Sequence, residues 1–208
     1  MYEKNMQQNR SVYQSFLPKR AESLRINLSP HFFFNILNSI YHSIKLNPDQ
    51  AEDILLKFSE LMQYYVYDCL DEKILLEKEV KSIRNFISLQ KLKLPFNLRE
   101  DFSVDGEIGN QLISPSVFMQ VVENVFKNEL NDSHPQSFLE MSFSIRDNEA
   151  ILTMSHSLSH NISNHSAEYD KGLLNLQTML YALYPASHNF QINKSGKTCS
   201  IVLQIQLF

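Results

Sequence analysis

The sequence predicts an α+β protein, an N-terminal helical hairpin followed by helices layered on a mostly antiparallel sheet. Three observations predict it. Apolar side chains recur at helical spacing from Ala21 to Leu94. Beyond Leu98, runs that alternate apolar and polar residues interrupt that pattern, the clearest being Leu139, Met141, Phe143, Ile145 and Cys199, Ile201, Leu203, Ile205, Leu207. Short polar turns, Asp147-Asn148 and Ser195-Gly196, join alternating runs and so make neighbouring strands antiparallel. With 208 residues, 43% of them hydrophobic, the chain can build one or two small domains with real cores.

In chain order, Tyr2 to Arg20 is polar and helix-compatible, with Val12 and Phe16 at i, i+4 and a break or kink at Pro18. It reads either as a linker or signalling helix or as a disordered lead-in. The first main helix runs from about Ala21 to Leu46, kinked by Pro30 just before His31. His31, Asn35, Asn38 and His42 form one polar stripe on it, and Ile26, Phe33, Leu37, Ile40 and Ile44 an apolar one. The histidine is thus presented from an anchored helix, although spacing alone favours a bundle helix with an incidental surface histidine. Asn47 caps a second helix, Pro48 suits its first position and Gln50 closes a capping box. Ala51, Ile54, Leu55, Phe58, Leu61, Met62 and Tyr65 mark its buried side. So short a connection makes an antiparallel hairpin, and two copies would complete a four-helix bundle, which predicts a symmetric homodimer.

A third helix runs from Leu75-Leu76 to about Leu94, with Val80, Ile83, Ile87 and Leu94 buried, widened by Phe86 and Leu89; Pro95 ends it. A weakly alternating strand, Leu98 to Val104, leads to the turn Asp105-Gly106. Ser116 to Leu130 is helical, and Ala150 to His156 is the second strand of a hairpin with the Leu139 run. Ser157 to Tyr169 reads as a polar loop, Leu173 to Leu183 as a helix stopped at Tyr184-Pro185, and His188 to Asn193 as the partner of the last strand.

Composition narrows the function. A formal net charge of −4 argues against a dedicated nucleic-acid binder. The two cysteines, Cys69 and Cys199, lie far apart, which fits a reduced cytoplasm. No apolar run is long enough to span a bilayer and no signal peptide opens the chain, so a cytoplasmic location is expected, as the cytoplasmic portion of a membrane sensor if its relatives sit in a membrane. The only glycines are Gly106, Gly109, Gly172 and Gly196, too few for a pocket built on glycine-rich loops. His156, His160 and His165 share a serine- and asparagine-rich stretch without cysteine; a polar loop accounts for them better than a metal site.

The run Ser29 to Ile40, SPHFFFNILNSI, resembles the phosphoacceptor box of the LytS-like sensor histidine kinases, usually NPHFLFNTLNSI. The resemblance extends from about Leu24 to Phe208. It implies that His31 is phosphorylated from ATP, with Asn35 one turn on to orient the ring or the phosphate. Phe32 stands where many other histidine kinases place an acid, as is usual in this branch. ILLEKEVKSIRNFISLQKLK is similar to the family's segment between dimerisation helices and catalytic domain. The implied domains are 1–22, a linker or signalling helix; 23–72, the dimerisation and phosphoacceptor hairpin; and 73–208, a histidine-kinase-type ATP-binding α/β sandwich.

Val122 to Asn128, VENVFKN, resembles the family's asparagine box, VENAFKH. The resemblance assigns Mg²⁺ to Asn124 and the phosphates to Lys127 and Asn128, all at i, i+3, i+4. Magnesium keeps several waters, so one amide oxygen plus phosphates suffices. Asn128 replaces the final histidine, and Glu129 adds a negative charge beside the phosphates. The next box departs from the family. LTMSHSLSH lacks both glycine and the aspartate that accepts the adenine amino group, and His156 stands in its place. An unmade buried hydrogen bond of that kind costs about 1–3 kcal/mol, roughly 5- to 150-fold in affinity. The second glycine box keeps Gly172 and Asn175 but has Asp170 for its first glycine and Met179 for a basic residue. The resemblance therefore implies a kinase using ATP and Mg²⁺, a homodimer, and a response regulator, commonly of the LytTR type, as phosphate acceptor. The degraded boxes leave open a pseudokinase, a dimeric scaffold with weak or no ATP binding.

Overall fold

The computed structural model describes residues 30–94, 98–130, 137–146, 148–158 and 167–207. The lead-in to Arg20, the helix ahead of Pro30 with its kink, and His160 and His165 lie outside the described residues. The chain divides between Asp71 and Glu72 into two compact units.

In the first unit, α1 (Pro30–Leu46) packs along α2 (Pro48–Val66), and a short 3₁₀ turn (Asp68–Leu70) follows. The Asn47 side-chain oxygen accepts the Gln50 N–H at 3.3 Å, with Pro48 at the first helical position. The Asn47 N–H donates to the Ser43 carbonyl at 2.8 Å, so this donor is satisfied by α1 and the reciprocal half of the expected capping box has no role. The buried stripe of α1 is Phe32, Ile36 and Ile40; Phe33, Leu37 and Ile44, expected inside, are exposed in the single chain. The reason is geometric. α1 carries two apolar stripes, and one partner helix covers only one of them. On α2, Ala51, Ile54, Phe58, Leu61 and Tyr65 are buried as expected, joined by Tyr64, whereas Leu55 is exposed.

The second unit begins with β1 (Ile74–Leu75), paired antiparallel with β3 (Leu112–Ile113). Pieces of two residues have no periodicity to read. α3 (Leu76–Lys91) buries Val80, Ile83, Phe86, Ile87 and Leu89; it ends before Leu94, which is only half-buried. After β2 (Arg99–Asp105) the chain passes Gly106, whose φ of 98° and contact with the Ile145 carbonyl demand glycine. α4 (Val117–Val125) continues into a π-turn (Phe126–Leu130). β4 (Phe138–Arg146) and β5 (Glu149–Ser157) form the expected hairpin, α5 spans Ala167–Leu183, and β6 (His188–Ser195) pairs with β7 (Thr198–Gln206).

The five-stranded sheet has the order β2-β4-β5-β7-β6, antiparallel throughout except for the parallel pair β2–β4. Its registers align the apolar alternations into rows: Leu139 beside His156 beside Cys199, Met141 beside Met154 beside Ile201, Phe143 beside Leu152 beside Leu203. All are buried and face the helices, with the Phe118 ring of α4 edge-on to Phe143 at 5.2 Å. α4 lies between α3 and α5, which pack on its two sides. This is the α+β sandwich that the alternating runs predict.

Candidate functional site

The first unit presents His31 from the exposed side of α1, one residue from the buried Phe32. The Asn35 amide nitrogen lies 3.4 Å from His31 Nδ1 and 3.3 Å from Nε2. It can donate to only one of them, the unprotonated one, so it is a loose contact that sets the ring without tying it down. Asn38 and His42 are exposed along the same stripe.

The second unit gathers the remaining candidates between α4 and α5. Asn124 sits half-buried in the last turn of α4, and Gly172 in α5 packs directly on it: a Cβ at 172 would overlap the Asn124 side-chain oxygen. About one turn before Asn124 on α4 and two turns beyond Gly172 on α5, the Gln120 amide donates to Met179 Sδ at 3.1 Å, so the helices run side by side in opposite directions. Lys127 is exposed in the π-turn. There i→i+5 bonding replaces the α spacing on which the shared face of Asn124, Lys127 and Asn128 was inferred. The Asn128 side chain lies outside the described residues, and Asn175 is exposed on α5.

Two features differ from the sequence reading. α5 begins at Ala167, not Leu173, so the Gly172 N–H lies inside the helical ladder and is not among the open amides of its first turn. His156, in the place of the family's adenine acceptor, is fully buried between Leu139 and Cys199, with Nδ1 3.2 Å from the Ser157 carbonyl. Among the described residues no cluster of three or more His, Cys, Asp or Glu could hold a metal ion. A magnesium–phosphate group fits the α4 side, where Asn124 offers a hard amide oxygen and Lys127 a cation. Gly172 seats tightly on the Asn124 side chain, so the amide oxygen lies directly against α5.

Sequence reasoning missed Glu79. It is fully buried on α3, and its carboxylate accepts the N–H groups of Ser116 (2.9 Å), Phe118 and Met119 (3.0 Å each) at the start of α4. The available sign was a charged residue at a core position, three after Leu76 and four before Ile83. Tyr184, at the end of α5, accepts the Ser114 N–H at 2.8 Å through its hydroxyl oxygen.

The histidine kinase family model matches residues 19–98. Over 91% of its length the chain is 28% identical to the sensor histidine kinase/phosphatase LytS of Staphylococcus aureus (strain MRSA252), covering 35% of that protein. Over 98% it is 24% identical to the sensor protein LytS of Staphylococcus epidermidis (strain ATCC 12228 / FDA PCI 1200), covering 37%. The chain thus spans about a third of the length of the curated relatives it matches. Solved structures similar to it include the catalytic domain of histidine kinase ThkA (TM-score 0.47, 11% identity, 64% of this chain, 93% of that one). Another is the Acinetobacter baumannii histidine kinase AdeS (TM-score 0.46, 12% identity, 92% of this chain, 93% of that one). No described helix is long and apolar enough to cross a membrane. Along nearly its whole length the chain is thus similar in sequence to the LytS-type sensor histidine kinases, and its N-terminal part matches the histidine kinase family model.

Proposed function

We propose that the chain is the cytoplasmic part of a two-component sensor histidine kinase that phosphorylates its own His31 from Mg-ATP and passes the phosphoryl group to a response regulator. The observation that carries this reading is His31 itself: exposed, on a helix anchored by its opposite side, with the Asn35 amide against its ring. The unprotonated ring nitrogen has a single lone pair, so it gives up its contact with the Asn35 amide as it attacks. It forms the N–P bond in line as ADP leaves. Bound ATP supplies the transferable γ-phosphoryl group. Asn124 would hold the magnesium ion, Lys127 would offset phosphate charge, and Asn128, Gly172 and Asn175 would line the nucleotide. The exposed stripe of α1 supports a homodimer through a four-helix bundle, and the family resemblance supports a LytTR-type regulator as acceptor.

Calorimetric titration of the chain with Mg-ATP, at concentrations that reach millimolar affinity, tests this reading. Saturable binding that disappears in Asn124→Ala is expected, followed by incorporation of label from γ-labelled ATP that disappears in His31→Gln. Absence of binding in the millimolar range would sink autophosphorylation and leave a dimeric scaffold, or a His31 phosphorylated by another kinase.

A further inference from the structure

Glu79 is a carboxylate in an apolar interior, an arrangement that costs several kcal/mol unless donors compensate it. Here the donors are the first backbone amides of α4. The first N–H groups of a helix have no partner within it, and the positive end of its dipole favours a negative charge. The usual solution, a side chain at the cap, is not used: Ser116 makes no side-chain cap bond and turns into the helix at a φ of 67°. Glu79 reaches across from α3 and accepts from Ser116 through Oε2 and from both Phe118 and Met119 through Oε1. Bonds to both carboxylate oxygens from amides at three positions around the first turn fix the rotation of α4 about its axis as well as its position. Asn124 lies on the same helix, six residues beyond Phe118, roughly 9 Å at 1.5 Å per residue. A rotation at the capped end therefore turns Asn124 by the same angle. The loop that enters α4 is also tied to the end of α5 by the Ser114–Tyr184 bond, so both helices flanking Asn124 are referred to one buried junction.

We propose that Glu79 is a positioning residue: through the first amides of α4 it sets the orientation in which Asn124 faces the nucleotide site. This rests on the reading of Asn124 as a nucleotide-site residue. A neutral apolar side chain at 79 would fill the same volume without the desolvation cost, but would leave three amides unmet and the helix free to rotate.

The test is a double-mutant cycle on the full chain. Glu79→Gln keeps the size of the side chain but turns one acceptor into a donor facing an N–H. Each of wild type, Glu79→Gln, Asn124→Ala and the double variant is titrated with Mg-ATP. The side-chain amide resonance of Asn124, assigned by its loss in Asn124→Ala, is followed in nucleotide-free protein. Expected are a wild-type circular dichroism spectrum for Glu79→Gln, a displaced Asn124 resonance, an affinity about tenfold weaker, and a double variant that behaves like Asn124→Ala alone. An unmoved Asn124 resonance, or an unchanged affinity in Glu79→Gln, would overturn the proposal and leave Glu79 as a structural cap only. If the wild-type chain binds no Mg-ATP, the nucleotide reading of Asn124 fails separately, and the resonance alone decides whether Glu79 orients that side chain. Should Glu79→Gln not fold, Glu79→Asp keeps the charge one methylene short, and the same displacement of the resonance is expected.

Discussion

Gly172 is where the absence of one carbon atom matters most. Its Cα lies so close to the Asn124 amide oxygen that a methyl group must displace that side chain. Gly172 is helical, so a residue with a side chain gains the usual helix propensity over glycine, about 0.8–1.0 kcal/mol for alanine. Overpacking at a close contact costs about 1–3 kcal/mol. Gly172→Ala is therefore expected to lower the stability of the second unit slightly, by about 1 kcal/mol net, and to weaken Mg-ATP binding more than the stability change accounts for. Chemical denaturation alongside titration checks both, and unchanged binding would show that Asn124 can move aside freely. Phe32 makes a second residue-scale point. Its side chain is buried beneath α1, so an acid at this position would be a charge in the core of the hairpin, next to an exposed histidine.

At the scale of elements, the helices and strands of the sandwich were legible because period and burial coincide. The rows Leu139–His156–Cys199 and Phe143–Leu152–Leu203 are the alternations of the sequence laid side by side. What was not legible had no local period. β1 and β3 are two residues each, the π-turn at Phe126 differs from an α-turn by one residue, and the two-turn extension of α5 to Ala167 runs through polar residues. The same holds for the site. His31 and Asn124 stand in recognisable wording, but Glu79 meets α4 through backbone amides, which carry no sequence. The junction of α4 and α5 offers a direct check. Tyr184→Phe keeps the ring and removes the oxygen that accepts from Ser114, so a buried N–H is left unmet. A loss of about 1–3 kcal/mol is expected, read as a lower thermal midpoint by about 2–4 °C per kcal/mol in a chain of this size. No change would mean that another acceptor takes over.

For the whole molecule, the unspent surface is on the first unit. Phe34 (62% exposed), Tyr41 (63%) and Ile44 (55%) follow one another along α1, with Leu37 between them. A contiguous apolar stripe of this kind on a two-helix hairpin calls for another pair of helices. The chain is expected to sediment as a dimer, and Phe34→Glu with Tyr41→Glu to convert it to a monomer with unchanged helix content, since neither side chain belongs to the buried stripe. A monomeric wild type at micromolar concentration would remove the four-helix bundle. The charge balance, the spaced cysteines and the scarcity of glycine were all readable before any fold was known, whereas which of the two stripes of α1 faces α2 was not, because both satisfy the same period.

The order of the strands has a consequence in time. The hairpin of α1 and α2 closes through residues near one another in the chain, while β2 must find β4 in parallel, Arg99 against Phe138, and β5 must wait for β7, Glu149 against Gln206. Loop closure over such separations has to be met before those pairings stabilise anything, so sheets of this topology form slowly and local helical pairs quickly. During synthesis the segment bearing His31 can therefore be assembled, and able to meet a second copy, while the unit bearing Asn124 still lacks its last strand.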